Sequence, residues 1–181
     1  LIKVQRTSYL GLVIAPLLLA LGFEKFGTSF QFLAVIPLAL VSGPLFIIDA
    51  RTMKLPNAIT YPSVALLLAM NFSYSLYSKE LENFTEPIVN SSLFFLLFLF
   101  LNLATRGGVG AGDVKLSFVI GLSLGSLGFS FLFAIAMVSF ILASFYSLFK
   151  LAQRNVGLKS KIPFGPFLIL ATWICLLLLA P

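Results

Sequence analysis

The chain is divided into seven long apolar stretches, at about residues 8–23, 31–49, 58–77, 88–104, 113–126, 128–149 and 163–180, joined by short connectors. Crossing the hydrocarbon core of a bilayer takes about 20 apolar residues at roughly 1.5 Å each, and most of these stretches approach that length. Of the 181 residues, 60% are hydrophobic and 10% charged, against about 45–50% and about 25% in soluble domains. Such a chain is apolar on all sides. In lipid every backbone polar group must be satisfied internally, which leaves helices or closed barrels. The stretches lack the period-two alternation of barrel strands, so an all-α, polytopic transmembrane bundle of about six to seven helices is expected. No connector is long enough for a separate soluble domain, so residues 1–181 read as one integral-membrane domain. Gly125-Ser126-Leu127-Gly128 reads as a tight turn between the fifth and sixth helices.

The net charge of +6 does not point to nucleic acid, because the cations are scattered over the connectors. With the N-terminus in the cytoplasm, Lys3, Arg6, Arg51, Lys54, Arg106, Lys115, Lys150, Arg154, Lys159 and Lys161 share one side. Only Lys25 and Lys79 lie on the other, together with Glu24, Glu80, Glu82 and Glu86. Ten cations against two is the bias of the positive-inside rule. The run after Lys3 and Arg6 resembles a signal peptide, but it lacks a small-x-small cleavage site and reads as a retained first helix; because residue 1 is leucine, a trimmed start is also open. Cys175 has no partner cysteine, and the chain contains no histidine. This removes disulfides, cysteine–zinc sites, Ser–His and Cys–His pairs and zincin motifs. Neither a metal nor a cofactor is expected.

What remains is acid. Asp49 and Asp113 are the only aspartates, and both fall at the cytoplasmic edge of an apolar stretch. An ionisable group near membrane depth costs about 2.5–3.5 kcal/mol at a helix centre and less near its end, so it is a functional candidate by default. Taken singly, each has a blander explanation. Asp113 suits a helix cap, and Asp49 could pair with Arg51 or Lys54 at the surface. Two at one membrane level suggest a dyad. Peptide hydrolysis by carboxyl groups needs one to activate water and one to donate a proton, and two held close share that proton. A helix N-terminus at Asp113 and a C-terminus at Asp49 would make Asp113 the base and Asp49 the acid. Gly110 and Gly112 are expected to supply positive φ or close approach of a substrate backbone. The fifth helix, about 18 Å if it runs from Asp113 to Gly125, is too short to span and is expected to border a wet cavity near Val114–Ser117.

These residues resemble a known family. Gly110-Ala111-Gly112-Asp113-Val114-Lys115-Leu116 is similar to the Gly-x-Gly-Asp motif of type IV prepilin peptidases. Asp49 with Leu55-Pro56-Asn57 resembles their first aspartate motif, and Ile162-Pro163-Phe164-Gly165-Pro166-Phe167 resembles their Pro-Phe-Gly-Pro segment. From the residues themselves, Asn57 suits an N-cap for the third helix, and Pro163 and Pro166 suit the start of the seventh. Gly165 suits close helix packing, and Lys115 can snorkel to the interface. The resemblance implies an aspartyl endopeptidase in a bacterial plasma membrane. It would cleave leader peptides of prepilin-like or pseudopilin precursors on the cytoplasmic side, with the lipid bilayer as its other partner. Bifunctional members also methylate the new N-terminus through a domain with Cys-x-x-Cys pairs. Those pairs are missing here, so the compact peptidase-only members are the nearer comparison.

Four other readings compete. Presenilin-type proteases carry a Tyr-Asp pair, whereas Ile48 precedes Asp49. A Ser–Lys pair from Lys115 and Ser117 would diverge on a helix. A small proton- or cation-coupled transporter would place acids nearer the midplane. An inactive scaffold leaves both aspartates without a purpose.

Overall fold

The computed structural model describes residues 2–106, 108–153 and 163–180, with side chains from residue 14 onward. Gly107, Arg154, Lys159, Lys161 and Ile162, and the side chains of Lys3 and Arg6, lie outside the described residues. Among the described residues, seven α-helices follow one another: α1 Ile2–Phe26, α2 Phe30–Thr52, α3 Asn57–Ser78, α4 Glu82–Ala104, α5 Ala111–Leu124, α6 Phe129–Ala152 and α7 Gly165–Leu179. No strand occurs among the described residues, and the all-helical bundle agrees with the pattern of apolar stretches. Hydropathy marks the part of a helix that sits in lipid, and most of these helices run a few residues past it. Thus α4 begins at Glu82 within a polar stretch read as connector, with an acid in its first turn where the helix dipole favours one.

Among the described residues, α2, α4 and α6 are long and apolar enough to cross a bilayer, and α7 is a shorter apolar helix of 15 residues. The shortest of the seven is the central one. With 14 residues, α5 is about 21 Å long at 1.5 Å per residue. It packs against α2, α3, α4 and α7. Val114, Leu116, Ser117, Val119, Ile120, Gly121, Leu122, Ser123 and Leu124 are all buried. The expected wet cavity along Val114–Ser117 is not seen at Val114, Leu116 and Ser117, which neighbouring helices enclose, while Lys115 is half-buried. A helix apolar on every face must be buried in protein or in lipid, and here its neighbours bury it.

Lipid tails are as apolar as leucine, so close backbone approach and polar links hold such helices together. Gly121 and Gly125 are four residues apart and face α4. A Cβ on Gly121 would lie 2.5 Å from Ser91 Cα, and one on Gly125 would lie 2.9 Å from Pro87 Cα. The Gly121-x-x-x-Gly125 spacing is the small-x-x-x-small signal for such close approach. Asn90 donates to the Gly125 carbonyl (2.8 Å) and Asn71 to that of Leu122 (3.2 Å). Ser123 donates to Ala34 O (2.6 Å) and Trp173 Nε1 to Ser42 Oγ (3.1 Å). These bonds tie α5 to α4, α3 and α2, and α7 to α2. The turn after α5 is a single 3-10 turn, Gly125–Leu127, closed by Gly128 at φ 89°, a conformation open to glycine at no steric cost.

Gly121→Ala should destabilise the bundle. Alanine gains about 1 kcal/mol in helix propensity over glycine, but the new methyl meets backbone at 2.5 Å, and overpacking of that kind costs about 1–3 kcal/mol. Thermal unfolding in detergent is expected to move to lower temperature; an unchanged transition would mean that α4 and α5 do not pack this closely.

Candidate active site

Two loops and three helix ends meet at the end of the bundle where α2 finishes and α5 and α7 begin. Asp49 lies in the last turn of α2, which Met53 closes in the left-handed conformation (φ 52°) with its N–H donating to the Asp49 carbonyl oxygen. Asp113 is the third residue of α5, whose first turn follows Gly110. Both carboxylates are nearly enclosed, Asp49 at 4% and Asp113 at 5% exposure. The surface pairing considered for Asp49 does not describe it, since Arg51 and Lys54 are exposed while its carboxylate turns inward.

Each carboxylate accepts one backbone N–H. Gly110 N–H donates to Asp113 Oδ2 at 3.1 Å, so Asp113 does act as a cap for its own helix. Gly165 N–H donates to Asp49 Oδ2, also at 3.1 Å. That second donor is the first residue of α7, a helix more than a hundred residues away in sequence. Asp49 thus ends one helix and faces the start of another. Each carboxylate meets the N-terminus of a helix, and helix ends no longer distinguish a resting base from a resting acid.

Gly165 also measures how near the acids are. A Cβ added there would lie 2.6 Å from Asp49 Oδ2 and 3.1 Å from Asp113 Oδ1. The two oxygens are no farther apart than the sum of these distances, with a glycine wedged against both. Close carboxyl groups titrate as a pair, which is the state that acid–base hydrolysis requires.

The other glycines serve packing. Gly110 has φ −68° and Gly112 lies within α5, so the expected positive φ is met at neither. A Cβ on Gly110 would touch Asp113 Oδ2 at 3.0 Å, and one on Gly112 would meet Leu55 Cβ at 3.0 Å. Leu55, which stands inside the Leu-Pro-Asn signal, therefore belongs to the wall of the site. Asn57 is the first residue of α3 and makes no cap bond; its N-cap position is taken by Pro56. The Asn57 side chain instead accepts a hydrogen bond from Lys115 Nζ (2.8 Å), and the ammonium also sits 5.2 Å from the centre of the Tyr61 ring. Lys115 is thus held by α3. Ser117 turns inward to the Val114 carbonyl, so no Ser–Lys pair forms. Pro163 and Phe164 precede α7 and Pro166 lies buried in its first turn. Phe164 packs on Phe140 (4.8 Å between ring centres) and Phe98 (6.0 Å), anchoring Gly165 against the acids.

The family model for the type IV leader peptidase family matches residues 33–148. The chain belongs to this family. It is 29% identical over 154 residues to a prepilin leader peptidase/N-methyltransferase of Pseudomonas putida, covering 84% of this chain and 52% of that protein. It is 30% identical over 152 residues to the protein of that name from Pseudomonas aeruginosa, covering 84% of this chain and 51% of the relative. The Bacillus subtilis protein of that name is 27% identical over 155 residues, covering 86% of this chain and 59% of the relative. The chain spans about half the length of the curated relatives it matches. No solved structure matches it.

Gly165→Ala is expected to cost about 1–3 kcal/mol of stability, because the methyl collides with fixed carboxylates. Gly110→Ala should cost less, since its contact is longer and its φ suits alanine. Unfolding transitions of the two variants in detergent check this order, and the reverse order would displace Gly165 from between the acids.

Proposed function

We propose that this member of the type IV leader peptidase family is an aspartyl endopeptidase in a bacterial inner membrane. Its substrates are leader peptides of prepilin-like or pseudopilin precursors, cut at the cytoplasmic face. The observation that carries the reading is the meeting of Asp49 and Asp113 on Gly165. The carboxyl pair holds one proton; its charged member draws a proton from water, which attacks the scissile carbonyl carbon. The protonated member donates to the carbonyl oxygen; the gem-diol then breaks its C–N bond as the leaving nitrogen takes a proton from one carboxyl and a diol hydroxyl returns its proton to the other, which restores the singly protonated pair. General acid–base catalysis of this kind contributes roughly 10²–10⁴-fold. The N–H groups of Gly110 and Gly165 hold the carboxylates in place, and the missing Cβ of Gly165 leaves room for them. The N-methyltransferase half of the relatives' names is not part of the proposal, because the Cys-x-x-Cys pairs associated with it by resemblance do not occur in this sequence.

The cytoplasmic placement rests on the excess of connector cations at the aspartate end, which also suit anionic lipid headgroups. A cysteine introduced at Lys54 should react with a membrane-impermeant thiol reagent only in inside-out vesicles, and one at Lys79 only in right-side-out vesicles; the opposite pattern would invert the topology.

Asp49→Asn and Asp113→Asn each keep an oxygen to accept the glycine N–H while removing the ionisable group. Co-expressed with a prepilin, each variant is expected to lose at least about a hundredfold in leader cleavage at unchanged membrane abundance. Wild-type cleavage by either one would sink the dyad.

A further inference from the structure

The carboxylate pair is fixed by Gly165 on one side, and its other flank is a short connector. Asp49 stands at the end of α2 and Asp113 at the start of α5; the two helices pack together and are tied at their far ends by Ser123 and Ala34, and a gap remains between their near ends. The segment between α2 and α3 crosses it. Leu55 is buried and packs against Gly112, the residue before Asp113. Two residues on, Asn57 accepts the hydrogen bond from Lys115 Nζ at 2.8 Å, two residues after Asp113. The two attachments straddle Asp113 in sequence. Lys115 is half-buried, while Asn57 and Tyr61 are exposed, so the ammonium lies along the mouth of the site rather than among the acids.

We propose that Lys115 and Asn57 are a pair of positioning residues that, with Leu55 on Gly112, clamp the α2–α3 connector to α5 and thereby hold the spacing of the two aspartates. The proposal rests on the aspartyl peptidase reading and deepens it. The Lys115 ammonium reaches a partner 58 residues away, and Asn57, the first residue of α3 with Pro56 in the cap position, offers it the side-chain oxygen. The tyrosine face adds a cation–π contact that keeps the ammonium over α3. Loosening the clamp displaces one carboxylate relative to the other, and misplacement by about 1 Å is enough to cost about a hundredfold in rate.

The role predicts a kinetic signature that differs from substrate binding and from simple loss of fold. Purified full-length protein in lipid nanodiscs is assayed on a prepilin as wild type, Lys115→Met, Asn57→Ala, the double variant and Lys115→Arg. Each single variant is expected to lose about tenfold or more in kcat with KM within about twofold. The double variant should be no worse than the poorer single one, because one link is broken only once. Arginine can donate the same bond, so Lys115→Arg is expected to keep kcat within about threefold. Thermal unfolding of each variant separates lost rate from lost fold. Additive losses, or a rise in KM for Lys115→Met with a fully active Asn57→Ala, would overturn the clamp; the latter would make Lys115 a substrate contact. Asp49→Asn and Asp113→Asn run alongside: if they are inactive while the cycle is additive, the clamp fails and the peptidase reading stands. If they cleave normally, the peptidase reading itself fails.

Discussion

Two carboxylates enclosed in an apolar bundle dominate the architecture. A charged group in low dielectric costs several kcal/mol unless it is paired or hydrogen-bonded, and two like charges make the cost worse. The fold answers by directing a backbone N–H at each acid, from Gly110 and from Gly165. Both donors lie at the start of a helix, where such groups have no partner within their own helix. Three helix ends must therefore meet at one point, which in turn requires α5 at the centre and α7 behind it.

That requirement explains why small residues fall where they do. At Gly165 a side chain would occupy the space of the acids, and at Gly112 it would push Leu55 away. Farther along α5, Gly121 and Gly125 let α4 approach to backbone contact. The same helix thus carries a site at one end and a packing stripe at the other. Both depend on the absence of a Cβ rather than on unusual backbone angles, since Gly110 and Gly112 lie in ordinary conformations. Polar side chains complete the arrangement. Asn71, Asn90, Ser123 and Trp173 bond across helices to carbonyl or hydroxyl oxygens, giving direction to contacts that dispersion alone leaves loose.

A site built this way differs in its logic from a preformed open cleft. With the acids at 4% and 5% exposure, the chemistry lies against protein on most sides. The helix start carrying Gly165 is held by the Phe164–Phe140–Phe98 cluster, so the wall behind the acids is aromatic. The wall in front is the short α2–α3 connector, which is polar and exposed at Lys54 and Asn57. That side, where Arg51 and Lys54 are exposed, is more open than the aromatic cluster.

The apolar stretches by themselves pointed to about six to seven helices, because in lipid runs of that length must close their own backbone hydrogen bonds and these lack the alternation of barrel strands. The scarcity of acids, the lack of histidine and the three short motifs likewise singled out Asp49, Asp113 and the segments around them. Helix ends were less legible, because hydropathy reports the depth of lipid while the backbone ladder continues past it, as at Glu82. What the tertiary structure decided was who meets whom. Gly165 as the partner of Asp49, Leu55 as the neighbour of Gly112 and Lys115 as the partner of Asn57 are contacts between distant segments, and no local pattern encodes them. The expected cap at Asn57, the positive φ at Gly110 and Gly112 and the helix-end split between the two acids were all inferred from near neighbours along the chain. The cap gave way to the neighbouring Pro56, which holds the N-cap position, and Gly110 and Gly112 keep ordinary φ, while the helix-end split gave way to a long-range partner, since a buried polar atom takes whichever partner the packing brings within reach.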